Sequence, residues 1–285
     1  MDRYSDPTLG DPRPAGMNPT LALPYHDDRL SLLCGDARDM AEVLSDGVDL
    51  AITSPPYWTI KNYRHEQQIG LGQSYEEYLQ QLAVVGHELY RVLRPGRFLC
   101  WIIGTHVSDG ELKHIPADCI GIFGEIGFVL RKEIIWTKPK GTQGLWQRGT
   151  TQFLKAKPYP GQANINIQHE FILVFQKPGE FPVREEHRLA ESFIKDVAWS
   201  VWELPVSQVK GHPAPFPMEL PARLIQLFSY PGELVLDPFA GTGTTLIAAR
   251  RLGRRCIGYD ISEEYCELAA SLIRGETAQL ILVEE

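Results

Sequence analysis

Short apolar runs recur along the chain from residue 30 and alternate with segments whose apolar positions are spaced as on one face of a helix. Apolar runs with few polar interruptions are typical of strands buried on both faces. The pattern predicts strands at 30–34, 48–53, 98–103, 129–137, 170–176, 234–237 and 255–259. It predicts helices at 39–44, 74–93, 115–125, 221–228 and 245–252. Because strands alternate with helices, we expect an α/β fold with a doubly wound, mainly parallel sheet.

Three segments do not fit this alternation. Residues 1–25 contain many prolines and glycines and no periodic apolar face, which is typical of a flexible leader. Segments 139–168 and 178–210 also lack the pattern. The chain has 285 residues, of which 44% are hydrophobic, enough for one large core but hardly for two. We therefore predict a leader, 1–25, and one domain, 26–285, that carries both irregular segments.

Cysteine usage and hydropathy narrow the class of protein. No apolar run reaches the roughly 18 residues that span a bilayer, and no secretory signal opens the chain, so we expect a soluble cytoplasmic protein. The five cysteines are scattered, and no two form a Cys-x-x-Cys pair. This spacing argues against a disulfide framework and against a metal site. We interpret the cysteines as small buried apolar residues.

Charge is distributed unevenly along the chain. The net charge of -8 argues against nonspecific coating of nucleic acid, which depends on Lys and Arg at the phosphates. Between residues 131 and 157, however, seven basic residues stand against one acidic residue, with aromatic residues among them. This segment predicts a cationic face for nucleic acid, although a charge run is often only a solvated surface. The candidate DNA contacts are Lys138, Lys140, Arg148, Lys155 and Lys157, together with Lys61 and Arg64 after strand 48–53.

The segment 234–245 joins an apolar strand to a glycine-rich turn and a helix, the place where α/β sheets bind nucleotide-like ligands. The turn lacks the lysine of a phosphate-binding loop, and Leu246 stands where a dinucleotide-binding loop has its third glycine. Asp237 can pair with an ammonium group, and Asp260, which ends the next strand, can accept hydrogen bonds from ribose hydroxyls. These features favour S-adenosylmethionine as the cofactor. The loop residues predicted to contact it are Phe239, Ala240, Gly241, Thr242, Gly243 and Thr244.

A second loop, Thr53-Ser54-Pro55-Pro56-Tyr57-Trp58, follows strand 48–53. The two prolines fix the backbone and remove two N–H donors, which leaves carbonyl groups as acceptors. Ser54 Oγ and the Pro55 carbonyl can hold the protons of an amine while its lone pair points at a methyl group. Tyr57 can stack on a base that has rotated out of a duplex. We predict Ser54, Pro55, Pro56 and Tyr57 as the catalytic residues.

The motifs Asp237-Pro-Phe-Ala-Gly-Thr-Gly and Thr53-Ser-Pro-Pro-Tyr-Trp resemble those of the amino-methyltransferases of DNA. Their order, with the catalytic loop first, resembles the β class, and the resemblance extends from about residue 30 to 270. It implies a circularly permuted S-adenosylmethionine-dependent methyltransferase sheet with a small target-recognition insertion at 139–168 and 178–210. It implies double-stranded DNA as the partner and raises the question of a restriction endonuclease encoded nearby. A monomer and a homodimer both remain open.

The resemblance also assigns roles to residues outside the two loops. His212, Phe216 and Pro217 look like the segment that packs beside the methionine end of the cofactor. Asp36 looks like the carboxylate that reaches the adenine amino group. Thr53 is also predicted to contact the cofactor. Segments 93–96 and 169–177 resemble the loop and the strand that border the target-base pocket.

The residue before the two prolines bears on the target base. Family members with serine there mostly act on cytosine N4, so Ser54 favours cytosine, with adenine N6 as the alternative. Methylation of cytosine C5 is disfavoured because it needs a thiolate after a proline, and no cysteine here follows one. An RNA, protein or small-molecule methyltransferase and an inactive DNA-binding module remain further alternatives.

Overall fold

The computed structural model describes residues 22–59, 62, 65–139, 159–161, 167–206 and 216–284. The strands in this part of the chain are β1 (Ala22–His26), β2 (Leu30–Cys34), β3 (Val48–Thr53), β4 (Leu93–Ile103), β5 (His106–Ser108), β6 (Glu111–Lys113), β7 (Val129–Thr137), β8 (His169–Gln176), β9 (Val201–Glu203), β10 (Leu234–Asp237) and β11 (Arg255–Asp260). The α-helices are α1 (Tyr75–Val92), α2 (Ile115–Ile126), α3 (Glu191–Val197), α4 (Glu219–Phe228), α5 (Thr244–Arg251) and α6 (Glu263–Glu284).

Among the described residues, nine strands form one sheet in the order β1-β2-β11-β10-β3-β4-β8-β7-β9, and β5 and β6 form a separate hairpin. The five strands β2, β11, β10, β3 and β4 are parallel to one another. β8 runs antiparallel to both of its neighbours, and β1 runs antiparallel to β2. The predicted doubly wound, mainly parallel α/β sheet is confirmed.

The strand order reverses between β10 and β3. From β10 the chain passes through α5 to β11 on one side, and from β3 it passes through α1 to β4 on the other. Ligands of open α/β sheets bind at such a point, outside the carboxyl ends of the strands. Asp237 ends β10 and Thr53 ends β3. Both loops that the sequence singles out therefore start at this crevice.

Helices cover both faces of the sheet, and alternate strand residues belong to separate apolar clusters. On β3, Leu50 and Ile52 lie in the cluster that includes residues of α4, α5 and α6. Ala51 lies in the other cluster, with residues of α1 and α2. This alternation follows from the two-residue repeat of a strand. The sheet is thus held rigid between two helical layers, which fixes the two loops relative to each other.

A buried ion cluster ties together the amino ends of β3, β4 and β10, opposite the crevice. Arg97 contacts Glu233 at 2.6 Å and Asp49 at 3.4 Å, and all three side chains are buried. Arg94 contacts Asp49 at 2.5 Å, and Arg184 contacts Glu233 at 2.9 Å. Each of the three buried members has two partners of opposite charge, so the loss of one partner leaves the others still paired. The cluster sets the register of the strands that carry the site.

Two local expectations from the sequence are wrong. The predicted helix 39–44 is a series of turns, in which Arg91 of α1 donates to the carbonyls of Met40 and Val43 in place of helical hydrogen bonds. Residues 22–25, assigned to the leader, belong to β1, where an edge position tolerates Pro24. The irregular segment 178–210 contributes β9, which extends the sheet beside β7.

Two further expectations concern the cysteines and the membrane. Cys100, Cys119, Cys256 and Cys266 are buried as expected, whereas Cys34 is only half-buried. Within the described ranges, no helix combines the length and the apolar character needed to cross a membrane.

Candidate cofactor and catalytic site

Asp237 is the most buried carboxylate at the crevice, with 1% of its surface exposed. Its Oδ1 accepts a hydrogen bond of 2.7 Å from Thr53 Oγ1 and one of 3.1 Å from the Phe239 backbone N–H. The other oxygen, Oδ2, is buried and has no hydrogen-bond partner among the described residues. A buried acceptor without a donor costs about 1–3 kcal/mol, so this oxygen is suited to a donor that arrives with a ligand.

The charge state of Asp237 reflects the same burial. Burial raises the pKa of Asp237 to about 6, and the nearby hydroxyl groups of Thr245 and Thr53 and the Phe239 N–H oppose that rise. A cation at Oδ2 would restore the carboxylate form, because an opposite charge in a buried site favours ionisation. The ammonium group of S-adenosylmethionine supplies both the missing donor and the missing charge. The orphaned oxygen therefore fits this cofactor.

Asp260 organises the glycine turn from the next strand. Its Oδ2 accepts from the Gly241 N–H and its Oδ1 from the Ser262 N–H, both at 2.9 Å. Burial raises the pKa of Asp260 to about 6, against the lowering effect of these two hydrogen bonds. Gly241 and Gly243 have φ values of 53° and 78°, a region that glycine enters without steric cost. Each Asp260 oxygen accepts one backbone bond in the structure and keeps a lone pair that a ribose hydroxyl can use.

The remaining residues of the turn lie where the loop enters α5. Ala240 and Thr242 are buried, and Phe239 packs against the α1–α2 side of the core. Thr242 Oγ1 and Thr244 Oγ1 lie 3.3 Å apart at the start of α5. The sequence motif thus forms a close-packed turn whose backbone faces the crevice.

A cavity of about 580 Å³ opens beside the ends of β2 and β11. Asp36 lines it, and its carboxylate is bound bidentately by Arg38, with a shortest distance of 2.5 Å. The other lining residues come from the β2 end, the segment before α1 and the start of α6, and are Cys34, Gly35, His65, Gln67, Ile261, Ser262, Glu263 and Glu264. The cavity is large enough for a nucleoside, in line with the usual range of about 300–1,000 Å³.

The catalytic loop begins at Ser54, directly after Thr53 in the sequence. Ser54 Oγ lies 3.1 Å from Tyr57 Oη, and Tyr57 Oη lies 3.0 Å from Glu170 Oε2 on β8. Tyr57 Oη is also 3.4 Å from the Ile102 carbonyl. Lys138 Nζ forms an ion pair with the other oxygen of Glu170. A continuous hydrogen-bonded chain therefore runs from Ser54 to Lys138.

Surrounding elements hold this loop in place. Pro55 is buried, and the Pro56 carbonyl accepts a 2.8 Å hydrogen bond from Tyr78 Oη of α1. Trp58 has a φ of 50° and donates from Nε1 to the Gln73 carbonyl at 2.9 Å. A Cβ at Gly70 would lie 2.6 Å from the Trp58 carbonyl oxygen, so only glycine fits there. These contacts with α1 and with the segment before it hold the loop in this shape.

A family model described as a DNA methylase, covering N6 and N4 methyltransferases, matches residues 48–271. This match includes both loops and the strands that carry them. The chain belongs to this DNA methylase family. It is an enzyme that methylates DNA, and S-adenosylmethionine is its cofactor.

Individual relatives cover most of the methylase. The Type II methyltransferase M.MjaI of Methanocaldococcus jannaschii is 34% identical over 271 residues, which is 81% of this chain and 87% of that protein. A putative DNA modification methylase from Thermus thermophilus, solved in complex with S-adenosyl-L-methionine, is 34% identical with a TM-score of 0.70, covering 87% of this chain and 93% of that one. The PvuII cytosine-N4-specific DNA methyltransferase shares the fold at 22% identity and a TM-score of 0.67, with 88% of each chain covered.

The roles of two residues in the methylase site do not follow from the sequence. Glu170 was noted only as part of a strand that borders the pocket, although a carboxylate inside the apolar run 170–175 is the signal that could have found it. Lys138 was assigned to DNA phosphate. The structure instead turns it inward, so that it pairs with Glu170, lies 4.8 Å from the centre of the Trp136 ring and exposes 17% of its side chain. Lys138 therefore has a partner within the protein, and its contact with DNA phosphate stays a prediction.

Other predicted residues of the methylase divide into two groups. Phe216 is half-buried against the apolar core, and Pro217 is buried and accepts from the Leu220 N–H at the start of α4. The remaining candidates lie outside the described residues and stay predictions: His212 for the cofactor, and Lys61, Arg64, Lys140, Arg148, Lys155 and Lys157 for DNA.

Proposed function

We propose that this DNA methylase transfers a methyl group to the exocyclic N4 of cytosine within specific duplex sequences, directly and on a base rotated out of the helix. Adenine N6 is the second candidate. The observation that carries the proposal is the junction of Thr53 and Ser54. Thr53 is hydrogen-bonded to Asp237, the residue suited to the cofactor, and Ser54 opens the loop suited to the amine.

Each residue has a distinct task in this proposal. When bound, the cofactor supplies an electrophilic methyl group on a sulfonium. Asp237 Oδ2 holds its ammonium group, Asp260 accepts from the ribose and Asp36 lies beside the adenine. Ser54 Oγ accepts a proton of the target amine, and Tyr57, which is half-buried beside it, stacks on the base. The rigid prolines keep the amine at reacting distance, because rotation of either Pro55 or Pro56 about φ is blocked.

The preference for cytosine rests on Ser54. Family members with serine before the two prolines mostly act on cytosine N4, while a hydroxyl can also accept from an adenine amine. Methylation at C5 is disfavoured, because no cysteine lies in the loop between residues 53 and 59. Burial also raises the pKa of Cys100 and Cys256, which opposes thiolate formation.

Recognition of the DNA sequence is proposed for segments 139–168 and 178–210. Lys140, Lys155 and Lys157 would contact phosphates, Arg148 would read base edges, and Lys61 and Arg64 would help beside the catalytic loop. Several relatives are named Type II methyltransferases, which supports a cognate restriction endonuclease as a partner.

Mass spectrometry of nucleosides tests the proposed base. DNA from a host that expresses the methylase is digested, and the control is the same host expressing Asp237→Ala. We expect N4-methylcytosine that is absent from the control. N6-methyladenine in its place would establish the second candidate. The amine assignment would be overturned if neither product were found although the purified enzyme transfers a labelled methyl group to the same DNA.

A further inference from the structure

The chain from Ser54 to Lys138 has a direction, and that direction decides what Ser54 can do. A hydroxyl carries one proton, so each hydroxyl in a chain donates one way only. The Ser54–Tyr57 contact of 3.1 Å permits either residue to be the donor. The groups beyond Tyr57 decide which of them donates.

Two acceptors besides Ser54 lie within hydrogen-bond distance of the Tyr57 hydroxyl. They are the carboxylate oxygen Oε2 of Glu170, at 3.0 Å, and the Ile102 carbonyl, at 3.4 Å. Neither can donate to a phenol, so the Tyr57 proton points toward them. The Ser54 hydroxyl must then supply the proton of the Ser54–Tyr57 bond. The lone pairs of Ser54 Oγ are left to face the target.

The opposite direction would be unproductive. If Tyr57 donated to Ser54, the Ser54 proton would point outward and bind the lone pair of the target amine. That lone pair is the nucleophile, and a hydrogen bond to it opposes attack. A chain that runs from the amine through Ser54 and Tyr57 to a carboxylate keeps the lone pair free.

Glu170 is itself fixed in position. It exposes 8% of its surface, faces Trp136 across the β7–β8 ladder and is ion-paired through Oε1 with Lys138. Gly104 makes room for the contact, since a Cβ there would lie 3.1 Å from the Tyr57 ring and 3.4 Å from Glu170 Cγ. A buried, paired carboxylate on a central strand is a rigid anchor for a chain of hydroxyls.

We propose that Glu170, held by Lys138, is a positioning residue that acts through Tyr57 to orient the Ser54 hydroxyl as an acceptor for the target amine. The inference rests on the proposed function, which places the amine at Ser54. It assigns Glu170 no contact with the base or with the cofactor.

A double-mutant cycle tests this role. The four proteins are the parent, Glu170→Gln, Tyr57→Phe and the double variant, and each is assayed for single-turnover methylation rate and for S-adenosylmethionine affinity. Tyr57→Phe keeps the ring for stacking and removes the hydroxyl. We expect Glu170→Gln to slow methylation by about tenfold or more, in line with loss of a hydrogen bond to a buried charge, while cofactor affinity is unchanged. The double variant should be no slower than Tyr57→Phe.

Two outcomes overturn the proposal. One is a parental rate for Glu170→Gln, and the other is a double variant slowed by the product of the two single effects, because Glu170 would then act independently of Tyr57. Glu125→Gln, an exposed glutamate on α2, is the matched control and should leave rate and affinity unchanged. If Glu170→Gln does not fold, Glu170→Gln/Lys138→Gln removes both charges of the pair and replaces it in the same cycle.

Ser54→Ala separates failure of this inference from failure of the proposed function. If Ser54→Ala and Tyr57→Phe both methylate at the parental rate, the loop does not hold the amine and the proposed function fails. If both are slow while Glu170→Gln is parental or additive, only the role of Glu170 is lost.

Discussion

Thr53 and Ser54 are consecutive, yet their hydroxyl groups serve opposite sides of the site. Thr53 donates to Asp237 on β10, where the chain of contacts stops at a buried oxygen without a partner among the described residues. Ser54 joins Tyr57 and Glu170, where the chain is closed by Lys138. The cofactor side is thus left open for a charged ligand to complete. The target side is complete within the protein and is already preorganised.

Among the changes that separate the cofactor side from the target side, Asp237→Asn should have the largest effect. The amide keeps the shape and removes the charge, so S-adenosylmethionine affinity should fall by about 100-fold or more, as expected for a buried ion pair worth roughly 3 kcal/mol. Isothermal calorimetry measures this affinity. Asp28→Asn, on an exposed aspartate, serves as the control. An unchanged affinity in Asp237→Asn would show that the open side does not bind the ammonium group.

Tyr57→Ala should act on the target side only. Loss of ring stacking should weaken binding of duplex DNA with a mismatched target base by about 1–3 kcal/mol. S-adenosylmethionine affinity should stay at the parental value, because the Tyr57 hydroxyl is hydrogen-bonded to Glu170 on the target side of the site. Fluorescence anisotropy with mismatched and paired duplexes measures the first quantity. Equal weakening on both duplexes would contradict stacking on a flipped base.

A change in pH should affect S-adenosylmethionine binding on the cofactor side, by a smaller amount than Asp237→Asn does. Because burial raises the pKa of Asp237 to about 6, its carboxylate is lost as the pH falls through that value. S-adenosylmethionine affinity should therefore decrease from about pH 8 to about pH 5, and this decrease should be reduced in Asp237→Asn. Affinity that is flat over this window in the parent would argue against a charged partner at Oδ2.

Titration of Asp237 should change the stability of the protein without cofactor in the opposite direction to its effect on cofactor affinity. The folded state of the parent binds the Asp237 proton more tightly than the unfolded chain, whose ordinary pKa is 3.8. The contribution of this group to unfolding free energy is therefore present at low pH and is lost as the pH rises to about 6. Asp237→Asn has no such loss, so its stability relative to the parent should rise over that window, as urea unfolding can measure.

The contrast also explains what the sequence could predict. The cofactor loop is contiguous, and Asp237, Gly241 and Gly243 lie within one strand–turn–helix segment whose chemistry follows from spacing. The Ser54–Tyr57 loop is likewise local. Glu170 lies on β8 and Lys138 directly follows β7, and only the antiparallel pairing of β8 with β4 and β7 brings Glu170 to Tyr57. Pairing between strands distant in sequence cannot be obtained from local periodicity.

The local sequence pattern also fails to predict the structure around two other segments. Met40 and Val43 have helical spacing and are buried, but the carbonyls of that segment are bound by the Arg91 side chain, a contact made across the fold. Lys138 lies in a basic run, which indicated a surface role. Its neighbour in space is the buried carboxylate of Glu170, a pairing between distant parts of the chain that the local charge pattern does not reveal.

Thr53→Val and Ser54→Ala, measured side by side, test the division of the site most directly. The structure-based expectation is that Thr53→Val weakens S-adenosylmethionine binding by about tenfold through loss of the Asp237 hydrogen bond, with little change in single-turnover rate at saturating cofactor. Ser54→Ala should slow that rate by about tenfold or more and leave cofactor affinity unchanged. If both substitutions reduced affinity and rate to the same extent, the two hydroxyls would serve one common role and the division would be contradicted.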